Sequence, residues 1–298
     1  MDESLQIPVM LEEVISGLNL TPGALVIDAT IGGGGHAEAI LTATAPQGKL
    51  LGLDWDKDAI TRSGNRLAAY QDRVVLKQAN YTETKTIAYE QRFYPVSALL
   101  LDLGLSRDQL KDGARGFAIQ TEGPLDMRFS DQVSLTAKEI VNTWPEKSLE
   151  QIFTEFGEER HAARAAQAIA AARKLAPINT TRELADVVVR GVGRRGRYHI
   201  HPATRIFQAL RIATNREFEN IKQALPEMVS LLAPGGRIAV LTFHSLEDRI
   251  VKFFFRDLAR AEHPTIALVN KKVIKPGRPE VLGNKASRSA KLRIIEKL

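Results

Sequence analysis

The polar residues able to do chemistry recur at one kind of place in this chain, directly after an apolar run. Asp28 closes "ALVID" and leads through Ala-Thr-Ile and four glycines to His36. Asp54 ends "LLGLD", Asn80-Tyr81 follow "RVVLKQA", and Asp102 ends "SALLLD". Consecutive glycines cost chain entropy, so the fold must need backbone where side chains do not fit. A ligand lying against the main chain is one reason, and a flexible turn is the other. Asp54 stands 19 positions after Gly35, where a carboxylate can accept hydrogen bonds from both hydroxyls of a ribose. The alternative is a helix N-cap, since "DWDKDA" crowds acids ahead of a helix whose macrodipole favours them. Asp56 and Asp58 read as that cap, and Asp54 as the ribose ligand.

A dinucleotide loop of the form Gly-x-Gly-x-x-Gly holds pyrophosphate at a helix N-terminus. Here Gly33 and Gly35 fit, but Glu38 occupies the third glycine's place, and an acid there repels pyrophosphate. S-adenosyl-L-methionine has no phosphate and carries a sulfonium cation. Asp28, Glu38 and Asp102 around the loop then make electrostatic sense. So does the acidic balance of residues 1–112, with 10 Lys and Arg against 15 Asp and Glu. Asp28 also reads as a brace, its carboxylate taking hydrogen bonds from loop N–H groups.

These positions require a scaffold that brings strand ends together. "ALVIDAT", "KLLGLDW" (49–55), "RVVLKQAN" (73–80) and "VSALLLDLG" (96–104) read as strands separated by helical spacing. Runs apolar on both faces predict a parallel sheet covered on both sides. Ligands bind such α/β sheets beyond the carboxyl ends of the strands. After Gly104 the rhythm breaks. Residues 107–147 are polar, 148–175 read as one alanine-rich helix, and 180–192 as a helix capped by Thr180 with Glu183. A fifth strand follows at 235–243. "SLEDRIVKFFFRDLAR" then opens with Ser245 and Asp248 spaced as a capping box. "TIALVNKKVI" and "AKLRIIEKL" form a closing strand pair. The expected organisation is one α/β domain, residues 1–112 and 206–298, interrupted by a mostly helical insertion, 113–205.

Composition narrows the chemistry. There is no cysteine, which removes disulfides, thiolate metal sites and any cysteine nucleophile, and suits the cytosol; no metal site is expected. No apolar run reaches the ~20 residues of a membrane span. The acidic start "MDESLQIPVMLEEV" is not an export signal. Net charge is +6, with 12 Lys and Arg against 4 Asp and Glu in residues 252–298. Such asymmetry suggests a polyanion partner. "RGVGRRGRYHIH" (190–201) offers Arg194, Arg195 and Arg197 to phosphates, and Lys271, Lys272, Lys275 and Arg288 form a second set. A solvated basic surface is the alternative for both.

Longer stretches resemble a known family. "DATIGGGGH", "LLLDLGLSRDQL", "ARGFAIQTEGPLDMRF", "HPATRIFQALRIATNRE", "LTFHSLEDRIVK" and "NKASRSAKLRIIEK" are similar to the MraW family of ribosomal RNA small-subunit methyltransferases. The resemblance runs from about residue 6 to the C-terminus. It implies a class I (Rossmann-like) methyltransferase sheet with an inserted helical domain. It also implies methyl transfer from S-adenosylmethionine to N4 of a cytidine in the decoding region of 16S ribosomal RNA. The substrate is then naked RNA or the small subunit, and the oligomeric state, a homodimer included, stays open. By resemblance, Gly34, Gly35 and His36 lie at the cofactor's methionine side and Asp54 at its ribose. Tyr81, where the family more often has Phe, lies beside the adenine. Asp102 lies near the adenine or amino end, and Gln109 is a further contact; the family commonly reads Ser-Ser-Pro-Gln where this chain has "SRDQ".

Methylating an exocyclic amine needs no covalent intermediate, only groups that hold the NH2 in line, and positioning then supplies most of the rate. Many amino-methyltransferases use an Asp/Asn-Pro-Pro-Tyr motif after the fourth strand, where this chain has "DLGLS". His244, directly after the fifth strand, is a candidate for orienting the amine or taking its proton; a structural role near the helix cap is the alternative. A different nitrogen or oxygen target, or an RNA-binding assembly factor on the same fold, would share much of this sequence pattern.

Overall fold

A computed structural model describes residues 7–193 and 201–298. The first part of the chain forms α1 (Leu11–Leu18), β1 (Leu25–Asp28), α2 (Gly35–Ala43), β2 (Lys49–Asp54), α3 (Lys57–Arg66), β3 (Val74–Gln78), α4 (Thr84–Glu90) and β4 (Val96–Asp102). Six helices follow: α5 (Arg107–Lys111), α6 (Ala137–Thr143), α7 (Glu146–Glu155), α8 (Ala162–Arg173), α9 (Thr181–Val192) and α10 (Thr204–Asn215). The last part holds α11 (Glu217–Leu231), β5 (Leu232–Thr242), α12 (Ser245–Ala259), β6 (Ile266–Leu268), α13 (Arg278–Gly283) and β7 (Lys291–Lys297).

The strands make one seven-stranded sheet in the order β3-β2-β1-β4-β5-β7-β6. β1 to β5 run parallel, and β7 is antiparallel to both neighbours. The α/β class expected from the sequence is the one observed. The continuous apolar runs explain it, because Val26, Ile27, Leu50, Leu51, Leu99 and Leu100 are fully buried and face helices on both sides. Strand order reverses at β1, which has β2 on one side and β4 on the other. The carboxyl ends of β1, β2 and β4, carrying Asp28, Asp54 and Asp102, therefore lie at the switch point where α/β sheets bind ligands.

The chain divides into two compact units, Met1–Gly104 with Phe218–Leu298, and Leu105–Glu217. The second unit begins and ends outside the 113–205 drawn from sequence. The reason is packing: in α10, Ile206, Phe207 and Leu210 are buried in the same core as Phe153 of α7 and Leu184 of α9. The polar start of this unit is tied down by side chains. Arg115 donates to the Arg128 and Phe129 carbonyls, and buried Asn215 bonds Phe129 N and the Met127 carbonyl. The single helix expected over 148–175 is two. α7 and α8 are separated at Gly157 and Glu158, the latter at φ 48°. A β-carbon at Gly157 would stand 2.7 Å from the Arg205 carbonyl oxygen, so only glycine fits at this break. Thr180 caps α9 in a box with Glu183, as its spacing predicts.

Candidate functional site

The loop after β1 is braced by carboxylates. Asp28, 1% exposed, accepts from Thr30 N at 3.2 Å. Burial, with a contribution from the Asp54 charge, pushes its carboxyl up to about 7. Asp54 spans two turns, accepting from Gly32 N at 2.9 Å and from Asp56 N at 2.8 Å. Burial lifts it to about 6 against the pull of those two N–H groups. Asp54 is thus a loop brace in its own right, on a residue that is only partly buried. Asp56 caps α3 by accepting from Asp58 N, as expected, whereas Asp58 sits inside that helix.

The glycines answer to the chain as much as to a ligand. Gly34 caps α2 at φ 78°, a left-handed conformation that favours glycine. At Gly35 a β-carbon would run into the Pro8 ring. Next to it, buried His36 places Nε2 3.0 Å from the Val9 carbonyl and Nδ1 3.8 Å from Asp102 Oδ2. Burial pulls the imidazole down to about 4, so it is neutral near pH 7. A carbonyl can only accept, so the ring proton sits on Nε2 and Nδ1 is a bare acceptor. Asp102 is held well above the usual carboxylate range by burial and by the charges of Asp28 and Glu247. Its Oδ1 is buried without a hydrogen-bond partner, and its backbone N donates to Thr30 Oγ1 at 2.6 Å.

Glu38 plays a different part from the one its spacing suggests. Arg66 Nε donates to Glu38 Oε2 at 2.8 Å, so its charge is largely answered within the fold. The acidic character of the site comes instead from the three strand-end aspartates.

Tyr81 opens a short 3-10 turn after β3, fixed by a capping box between Asn80 and Glu83. Ala79 N donates to the Asp54 carbonyl, which ties the start of that turn to the end of β2. Since β3 and β4 lie on opposite sides of β1, Tyr81 and Asp102 mark opposite ends of the row. Gln109 belongs to the second unit. There it closes a capping box with Ser106 that orders the Ser-Arg-Asp-Gln turn without the family's proline.

The capping box expected at Ser245 and Asp248 lies one residue earlier, at His244 and Glu247. His244 Nδ1 accepts from Glu247 N at 3.3 Å, and Glu247 Oε2 accepts from the N–H groups of Phe243 and His244. With Nδ1 accepting, the neutral ring carries its proton on Nε2, 3.0 Å from Glu247 Oε1 but buried without a well-directed hydrogen bond. His244 therefore cannot take a proton on Nδ1 while the cap stands. Asp248 pairs with Lys291 and Arg293 instead.

Of the basic candidates, Lys271, Lys272, Lys275 and Arg288 are exposed, while Arg194, Arg195 and Arg197 lie outside the described residues. Among the described residues no group of His, Asp and Glu could hold a metal ion, and no helix is long and apolar enough to cross a membrane.

Residues 3–298 match the family model described as the MraW methylase family. A protein of Syntrophotalea carbinolica named ribosomal RNA small subunit methyltransferase H is 43% identical, covering 97% of this chain and 97% of its own. Proteins of the same name are 44% identical in Dehalococcoides mccartyi, over 100% of this chain and 88% of that one, and in Thermomicrobium roseum, over 98% and 93%.

Proposed function

This chain belongs to the MraW methylase family, and on that premise we propose that it methylates 16S ribosomal RNA. The reaction is transfer of a methyl group from S-adenosylmethionine to the exocyclic N4 of a cytidine in the decoding region, in the cytoplasm. The observation that carries this is the match over almost the whole chain, together with relatives named ribosomal RNA small subunit methyltransferase H.

The strand-end residues fit a cationic ribosyl cofactor. Buried Asp102 Oδ1 lacks a partner, His36 Nδ1 is a bare acceptor, and Asp54 is only partly buried. Asp54 accepts from the ribose hydroxyls, and the Tyr81 ring lies along the adenine. Gly34, Gly35, His36 and Asp102 receive the methionine end, with Gln109 a further contact. Asp102 goes with the amino end because it stands beside His36 and across β1 from Tyr81. When bound, the cofactor supplies an electrophilic methyl on sulfonium. The chain's work is then to hold an amine in line with that methyl and to exclude water. His244 orients the amine from its place at the cap of α12.

The helical unit is the substrate-recognition part. Arg194, Arg195 and Arg197 contact phosphates, with Lys271, Lys272, Lys275 and Arg288 as a second set. A target base must leave its stack to reach a pocket, so a separate recognition unit is useful. The test is mass mapping of nucleosides in small-subunit RNA, naked and assembled, treated with the protein and S-adenosylmethionine. N4-methylcytidine at one site supports the reading. Methylation at another atom, or none on either substrate, overturns it.

A further inference from the structure

Residues 7–10 meet the segment around α13 beside the glycine loop. Asn284 Nδ2, just past α13, donates to the Ile7 carbonyl at 3.1 Å. Glu280 Oε1, on α13, accepts from Met10 N at 2.6 Å, the short length of a charge-assisted bond. Asn284 is buried, and Met10 is fully buried with a left-handed backbone, φ 54°. Both anchors therefore hold a segment that has little freedom of its own. Between them Pro8 covers Gly35, and the Val9 carbonyl takes the Nε2 proton of His36.

A histidine side chain in water favours its Nε2–H tautomer only modestly; a fixed partner on one nitrogen decides which is present. Val9 is that partner, and it is a backbone carbonyl whose position depends on where Ile7–Met10 is tied. The consequence falls on Nδ1, which faces Asp102. As an acceptor it joins the Asp102 carboxylate in receiving N–H groups from an ammonium. As N–H it would oppose one. We propose, building on the cofactor reading above, that Glu280 and Asn284 are positioning residues for the cofactor. By tying Ile7–Met10 across the glycine loop, they keep the His36 proton on Nε2 and leave Nδ1 as an acceptor for the cofactor's ammonium. Neither residue is placed against the cofactor itself.

The experiment pairs a long-range 1H–15N spectrum of the histidine rings with calorimetric titration of S-adenosylmethionine. Both are run on the full chain for wild type, Glu280→Ala, Asn284→Ala and Glu280→Gln, with His36 assigned by loss of its signals in His36→Asn. Wild type is expected to show the Nε2–H tautomer. The two alanine variants should show mixed tautomers and roughly 3- to 10-fold weaker cofactor binding, the effect of about one hydrogen bond. Glu280→Gln, whose amide oxygen still accepts from Met10 N, should restore both. Asn284→Ala keeps the test alive if Glu280→Ala does not fold. The proposal is overturned if wild type carries the proton on Nδ1, or if affinity falls in the alanine variants without a change of tautomer. Unchanged affinity and tautomer in both overturn it as well. A wild-type protein that shows Nε2–H but binds no S-adenosylmethionine overturns the cofactor reading instead.

Discussion

Asp28, Asp54 and Asp102 in the sheet unit are answered by backbone N–H groups or, at Asp102 Oδ1, by nothing. In the helical unit Asp126 is gripped by Arg128 through bonds of 2.9 and 2.8 Å, and Glu217 by Arg211 at 2.8 and 2.9 Å. The electrostatics follow the pairing. Burial pushes the three strand-end carboxyls up. At Asp126 burial is more than offset by the hydrogen bonds and charge of Arg128, and the carboxyl falls below its usual range. The sheet unit can pair its acids too, since Asp248 is held down by Arg293 and Lys291. Among the described carboxylates, those that burial pushes up stand at the strand ends. A fold keeps such a cost where a cationic ligand can offset it.

The largest expected effect separates the two kinds of carboxylate by sign. Asp28 has a folded value of about 7 against 3.8 for the free group. Its contribution to stability is full below about pH 4 and is lost as pH rises through 7. Asp28→Asn should therefore stabilise the cofactor-free protein at pH 8 by about 2–4 kcal/mol, since each tenfold change in proton affinity is worth about 1.4 kcal/mol. Denaturant unfolding at pH 4 and pH 8 checks it, and the gain should vanish at the lower pH. Asp126→Asn should do the reverse. Its lowered value makes it stabilising above the usual carboxylate range, so the variant should lose about 1 kcal/mol at pH 8. A loss in both variants would erase the distinction.

Next in size, Asp54→Ala should weaken S-adenosylmethionine binding by about 1.5–3 kcal/mol, the worth of hydrogen bonds to a charged group. Asp56→Ala should cost about 1 kcal/mol of stability as a lost cap and leave cofactor affinity alone. Equal losses of affinity would mean that Asp54 acts only by bracing the loop.

At His244 the cap and the chemistry can be told apart. His244→Ala should lose about 1 kcal/mol of stability and slow methylation. His244→Asn keeps an oxygen to cap α12 and an N–H to donate, so it should recover the stability and most of the rate. An Asn variant as slow as Ala, despite full stability, would show that the reaction needs the imidazole ring itself and not only the cap.

The smallest effect is on RNA binding. Changing Lys271 and Lys272 to Ala should lower the slope of log affinity against log salt by about 1–2, with cofactor affinity unchanged. Filter binding across a salt series measures it, and an unaltered slope returns these lysines to solvated surface.

What is legible in the sequence is set by range. Strands β1, β2 and β4 announce themselves because burial on both faces demands unbroken apolar runs, while β3 at the sheet edge is only half-buried, and Thr180 with Glu183 is a purely local cap. The break between α7 and α8 is not local, since Gly157 is forced by the Arg205 carbonyl of a later helix. The cap at α12 falls one residue earlier than its sequence suggests because Ser-x-x-Asp is the commoner cap pattern, while here an imidazole does that work. Within the site, the aspartates can be found from their places at strand ends. The partners that tune them cannot: Arg66 on Glu38, and Val9 on His36, held from Glu280 and Asn284, are contacts across 27 to 277 residues of chain.

The central claim is that the strand-end carboxylates are kept uncompensated for a cation. Calorimetric titration of S-adenosylmethionine from pH 5 to pH 8, in buffers of different ionisation enthalpy, tests it directly. Asp28 and Asp54 titrate at about 7 and 6, and a bound cation favours their charged forms. The affinity should therefore tighten as pH rises through that range, and binding near pH 6 should release protons to the buffer. An affinity flat with pH, with no proton release in any buffer, would contradict it.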